Sequence, residues 1–257
     1  MRAWGTMRRA GELLPGGAAR RAWADGVRAC ARRILLAFLV AAGPASADVM
    51  RDNLRFTLYH EMGHAVIDQL DVPLLGPEET AADGFALVLA DRLHDEAEMA
   101  DLIVSVTEVA RGQAVGAIDP WSPYMHDAQR IAWTICVWYG QNPAARGALA
   151  RALGLPRGNE PACAEETRRL RAGWAPILAR ARPAEGRASL LAAQGRGKAL
   201  SLLEGDIARL RDEIALPRRT PIVQEWCGED NAFYYHGDVR IVICEEMVEA
   251  LRAAARR

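Results

Sequence analysis

Two histidines flanking a glutamate, His60-Glu61-Met62-Gly63-His64, constrain this chain more than any other feature. Side chains four apart stand on one face of a helix, a turn from each other. Two imidazoles at that spacing can share one Zn2+ at about 2.0–2.1 Å. Such a use demands a helix across the motif, and the flanking residues provide it. Leu54, Leu58, Met62, Ala65, Val66 and Leu70 recur at helical spacing, which predicts a helix over 53–70. Glu61 follows the first histidine and can lean toward a metal-activated water as its general base. Gly63 leaves room for substrate or a neighbouring strand to come close.

A catalytic zinc takes three protein ligands and keeps one position open. The best source of a third is Glu78-Glu79-Thr80-Ala81-Ala82-Asp83. Pro73, Gly76 and Pro77 break the first helix, and Pro77 is suited to open a second with Glu78 and Glu79 in its first turn. That helix runs to about Leu93 and can fold back antiparallel on the first. Glu79 is then the expected carboxylate ligand. Asp83, four residues on and on the same face, can accept the outer N–H of a ligating histidine and fix its tautomer. Ala81 and Ala82 let the helices approach closely. Glu78 is the alternative ligand; Glu79 is preferred because Asp83 is its i+4 partner. Without a metal, the same acids would merely complement a helix N-terminus.

The rest of the chain reads as mainly helical. Further helices are predicted over 95–111, 127–139, 146–153, 164–181, 207–214 and 245–254, with a Gly- and Pro-marked loop over 112–123. Residues 182–205, rich in Ala, Gly and Arg, read as a mobile connection. Residues 221–227 and 239–244 are β-branched runs around a polar stretch containing Gly237-Asp238, the pattern of a hairpin. The expected class is α+β, mainly α: a single domain over 48–257 with a C-terminal hairpin and helix over 221–257.

Residues 1–47 read as an address. Arg32-Arg33, the apolar run from Ile34 to Ala42 and the exit Ala45-Ser46-Ala47 are the three parts of a secretory signal, with cleavage expected near Ala47. The run is about half the length that spans a bilayer, so no stable membrane span is expected after cleavage, and the protein is expected in the periplasm or outside the cell. Export changes the reading of the cysteines. Cys136, Cys163, Cys227 and Cys244 remain, and an oxidising compartment favours two disulfides, for which the sequence-local pairs Cys136–Cys163 and Cys227–Cys244 are expected. The first 47 residues hold eight Arg against two acids, leaving 24 basic and 31 acidic residues in the body. An acidic body offers no footprint for a phosphate backbone, so no nucleic-acid partner is expected. Nothing in the sequence fixes an oligomeric state.

The motif pair His60-Glu61-Met62-Gly63-His64-Ala65 and Glu79-Thr80-Ala81-Ala82-Asp83 resembles the gluzincins, zinc peptidases with two His and a Glu as ligands. More narrowly, the chain resembles an uncharacterised family of bacterial metallopeptidase-like proteins known mainly as a domain of unknown function. The stretch from His60 through Leu89 carries the likeness, with Gln129-Arg130, Cys136 to Gly140, Asn142-Pro143 and Cys163 to Trp174. The resemblance implies a zincin-like fold and a zinc-dependent peptidase. One element departs in order. Cys227 to Tyr234, ending in Val239 to Cys244, is similar to a hairpin that the resemblance places upstream of the zinc helix, where HtpX-like membrane peptidases carry an Asn-Ala-Phe segment. Here it follows the zinc helix, as in a circular permutation.

These readings converge on a secreted peptidase acting on peptides or proteins, with His60, His64 and Glu79 as ligands, Glu61 as base and Asp83 behind a histidine. If the hairpin docks beside the metal, its edge could take a peptide as an added strand. Tyr124, His126 and His236 are candidates, by residue type alone, to stabilise the oxyanion. The alternative function is a non-catalytic, zinc-containing exported binding domain, for which Glu61 has no evident use.

Overall fold

A computed structural model describes residues 46–114, 119–185 and 189–256. All of these belong to the compact unit that begins at Pro44. The expected secretory signal lies outside the described residues except for Ser46 and Ala47, which already form the first turn of helix α1 (Ser46–Gln69).

From Asp52 to Ile67 every residue of α1 except Thr57 is buried. A helix without a solvated face sits in the middle of a core, and its polar side chains must find partners inside. Asn53 donates to Ser105 Oγ (2.9 Å), Arg55 to Asp206 (2.8 Å) and Gln69 to Thr220 Oγ1 (2.9 Å). Helix α2 (Glu78–Leu93) packs along α1. Gly63 is where they come closest: a Cβ there would stand 3.0 Å from Ala82 Cα. What approaches Gly63 is therefore the second ligand helix, rather than a strand or a substrate.

Helix α3 (Glu96–Gln113) starts at a capping box in which Asp95 accepts from the Ala97 and Glu98 amides and Glu98 accepts from the Asp95 amide. Helices α4 (Asp127–Gln141), α5 (Pro143–Ala152) and α6 (Glu160–Ala181) follow. The Cys136–Cys163 disulfide joins α4 to α6, as expected. Helix α4 runs two residues past the expected stop at Tyr139. Gly140 does not end it but lets α6 press against it: a Cβ would lie 2.5 Å from the Cys163 carbonyl oxygen and closer still to Thr167 Oγ1.

The C-terminal part supplies a four-stranded sheet: β1 (Leu191–Ala193), β2 (Thr220–Glu225), β3 (Ala232–Tyr235) and β4 (Arg240–Cys244), in the order β1-β2-β4-β3. Helices α7 (Lys198–Leu202) and α8 (Glu204–Glu213) lie between β1 and β2, and α9 (Glu245–Ala254) closes the chain. The class is α+β, mainly α.

Two expectations change here. The segment 182–205 contributes β1 and α7 instead of an unstructured connection. The two β-branched runs are not hairpin partners. β2 and β4 pair in parallel, and the polar stretch between them contains β3, which is antiparallel to β4. Parallel neighbours need a crossover, and Cys227–Cys244 pins this one to the end of β4. The hairpin is thus β3–β4, with β3 at the sheet edge against α1.

Candidate metal centre

The one-turn spacing of His60 and His64 brings their Nε2 atoms to 3.1 Å from each other. Glu79 Oε2, at the start of α2, stands 3.1 Å from His60 Nε2 and 3.5 Å from His64 Nε2. The corners of such a triangle lie about 1.9 Å from their common centre, against the roughly 2.0–2.1 Å at which zinc holds nitrogen and oxygen ligands. Among the described residues these three form a group able to hold an ion. Asp83 is not part of it.

The outer nitrogens explain why the inner ones converge. His60 Nδ1 is 2.8 Å from Asp83 Oδ1, and His64 Nδ1 is 2.8 Å from Glu78 Oε1. A carboxylate accepts, so each ring carries a proton on its outer nitrogen; toward an ion each Nε2 offers a lone pair, and without one an Nε2 can take a second proton and donate it to Glu79. Two inward lone pairs 3.1 Å apart are satisfied by a cation or by a proton. The donor set therefore fits a divalent ion. Of the two acids in the first turn of α2, Glu79 faces both inner nitrogens and Glu78 backs His64.

Charge is concentrated here. Burial opposes a positive His60, but Asp83 and Glu79 outweigh it and bring the ring to about 9. His64 is also raised: burial works against it, and Glu79 and Glu78 prevail. Glu79 is held well below the usual carboxylate range, since its bonds to both rings overcome its burial. Burial pushes Glu61 up, and the two histidines only partly offset that.

Glu61 is 5% exposed and, with His60, lines a cleft of about 740 Å³. Phe56 and Thr57 of α1, Val106 of α3, Ile131 of α4 and Met247 of α9 contribute to its walls. The β3 edge meets the same place. The Tyr234 backbone N–H donates to the Glu61 carboxylate, the Tyr234 hydroxyl donates to Asp68 (2.6 Å) two turns further along α1, and Asn231 lines the cleft.

The three oxyanion candidates separate. The Tyr124 hydroxyl is hydrogen-bonded to Glu79, and burial followed by the charges of Glu79 and Glu61 raises it to about 12. His126 also lines the cleft, and its Nε2 is buried without a hydrogen-bond partner. His236 lies on the β3–β4 turn facing Asp68 at 3.6 Å and does not line the cleft.

Sequence reasoning missed two contributions. Arg130 grips Asp83 with two hydrogen bonds of 2.7 Å, across 47 residues that give no local signal. The Tyr234 contact uses a backbone group, which residue type cannot reveal.

With this geometry established, the model of a family described as "Putative metallopeptidase" matches residues 40–178. The chain belongs to that metallopeptidase family. The matched span holds both ligand helices, Glu61, Asp83, Tyr124 and Arg130, whereas the sheet and α9 lie beyond it. No curated protein and no solved structure matches the chain. Among the described residues, no helix is long and apolar enough to cross a membrane.

Proposed function

We propose that this chain is an exported zinc-dependent peptidase of zincin-like fold, in which His60, His64 and Glu79 hold the metal and Glu61 moves the proton. The carrying observation is the triangle of three donor atoms with a buried carboxylate beside it in one cleft. Two imidazoles and a carboxylate on a compact triangle suit zinc, which favours four-coordination and tolerates nitrogen and oxygen together. Family membership supports a metal-dependent hydrolase acting on peptides.

A bound ion would polarise a peptide carbonyl and acidify water at this point. Glu61 takes the proton from the attacking water and passes it to the leaving amine, and a carboxylate raised by burial is suited to doing both. Tyr124, whose hydroxyl donates to Glu79, would turn that one O–H away from the carboxylate and toward the oxygen on which negative charge develops. The peptide enters the cleft beside the start of β3, at Asn231, and pairs there as an added strand, while the two Tyr234 contacts hold β3 in line with α1. The polar walls of the cleft hold its ends, and Asp83 and Glu78 keep both rings turned inward throughout.

Export is supported by the charged, apolar and small-residue series over 32–47 and by two disulfides of the kind that persist in oxidising compartments. Residues 1–47 act as the signal, and 48–257 form the mature domain. Amino-terminal sequencing of protein recovered from outside the cytoplasm is expected to begin near Asp48.

The test compares wild type with Glu61→Gln on a peptide library, with metal content measured on both. The expected result is about one zinc per chain in each, cleavage by wild type, and a loss of at least about a hundredfold in the variant. Equal zinc and no cleavage by either protein would replace this proposal with a non-catalytic zinc domain.

A further inference from the structure

Arg130 belongs neither to the ligand triangle nor to the acids that back it, yet it touches both sides of the centre. Its Nε donates to Asp83 Oδ2 and an Nη to Asp83 Oδ1, each at 2.7 Å. Asp83 Oδ1 is the same oxygen that lies 2.8 Å from His60 Nδ1. On its other side the guanidinium carbon stands 5.3 Å from the centroid of the Tyr124 ring, and the Tyr124 hydroxyl reaches Glu79. The contacts close a circuit: His60, Asp83, Arg130, Tyr124, Glu79 and back to His60 at 3.1 Å.

From this circuit we infer that Arg130 is a positioning residue that sets the metal affinity of the site through Asp83 and holds the Tyr124 loop over it. The inference rests on the metal-site reading above. A carboxylate gripped at both oxygens by a planar fork cannot rotate about its last bond, so the lone pair left on Oδ1 is fixed where His60 needs it. An ungripped Asp83, 1% exposed, would instead be a buried anion with one short partner and a free torsion. The same guanidinium lies over the Tyr124 ring as a cation–π contact, which couples the loop entering α4 to the helices of the donor triangle.

Zinc affinity, measured by competition with a chromophoric chelator, tests this without any substrate. Wild type, Asp83→Asn, Arg130→Met and the double variant are titrated, with thermal unfolding of the zinc-free proteins as the folding control. Arg130→Met is expected to bind zinc about 10–100-fold more weakly, and the double variant to be little worse than Asp83→Asn alone. Arg130→Lys keeps the charge but loses the fork and is expected to fall by about tenfold; it carries the test if the Met variant does not fold. Wild-type affinity in both Arg130 variants, or losses at Arg130 and Asp83 that simply add, would overturn the inference. Absence of zinc binding by wild type itself would instead overturn the metal-site reading beneath it.

Discussion

Asp52 shows what the interior of α1 costs. It is 1% exposed, accepts from Arg55 at 3.2 Å through one oxygen, and leaves the other buried without a partner. Burial raises it to about 6 from 3.8, only partly relieved by Arg55 and Arg51. The folded state thus binds this proton more tightly than the unfolded chain, so the contribution of Asp52 to stability is greatest below about pH 4, falls as pH rises to about 6, and stays lower above. Asp52→Asn is expected to remove that slope and to raise stability at pH 7 by about 1–3 kcal/mol. Urea unfolding at pH 4 and pH 7 checks both. Glu78 carries a second residue-scale expectation. With Gln in its place His64 loses an anionic acceptor for its Nδ1 proton, and zinc affinity should drop about tenfold, read by the same chelator competition. That His60, His64 and Glu79 come together, with Glu61 beside them, was legible in the sequence because each lies within a turn or two of a fixed motif. Glu78 and Glu79 were both weighed as ligands, and only the direction from which α2 meets α1 separates them. Arg130 was invisible as a contributor because its partner is 47 residues away.

At the scale of elements, the closest helix crossings depend on missing side chains. Gly140→Ala would drive a Cβ toward a backbone oxygen of α6 at 2.5 Å, and backbone yields less readily than a side chain. The disulfide one turn earlier in α4, Cys136–Cys163, prevents the helices from drifting apart to absorb it. A loss of about 1–3 kcal/mol is expected, seen as a lower midpoint in thermal unfolding, with the disulfide intact by thiol assay. Helices were the legible part of this fold, since their apolar spacing extends over several turns. The sheet was less so. β2 and β4 are apolar runs of similar kind, and nothing in such a run states whether its neighbour is parallel or antiparallel. Ala232–Tyr235 was hidden from the pattern of residues, because the polar, Gly-containing stretch around it resembles a turn, and only the likeness of Cys227 to Tyr234 and Val239 to Cys244 to a family hairpin pointed to its pairing with β4. β1 is three residues long and leaves no periodic trace.

For the whole molecule, the family match and the surroundings of the candidate site do not coincide in extent. Residues 40–178 contain every proposed ligand, yet α1 is covered on its remaining sides by β3, β4 and α9. A chain ending at residue 185 would leave Gln69 without Thr220 and Arg55 without Asp206, and a buried ion pair broken on one side costs about 3–5 kcal/mol. Such a protein is expected to lack a cooperative calorimetric transition and to show no peptidase activity. The α+β character could be read from composition and pattern; the way the last third wraps the first helix could not, because it rests on contacts such as Gln69 with Thr220, 151 residues apart.

The donors and the acids behind them all fall between His60 and Asp83, whereas the strand that contacts Glu61 through Tyr234 ends at Tyr235. A ribosome therefore delivers the whole donor triangle well before the strand that contacts Glu61. Until those last strands arrive the two helices can already meet on the nascent chain, while Arg55 and Gln69 still wait for Asp206 and Thr220.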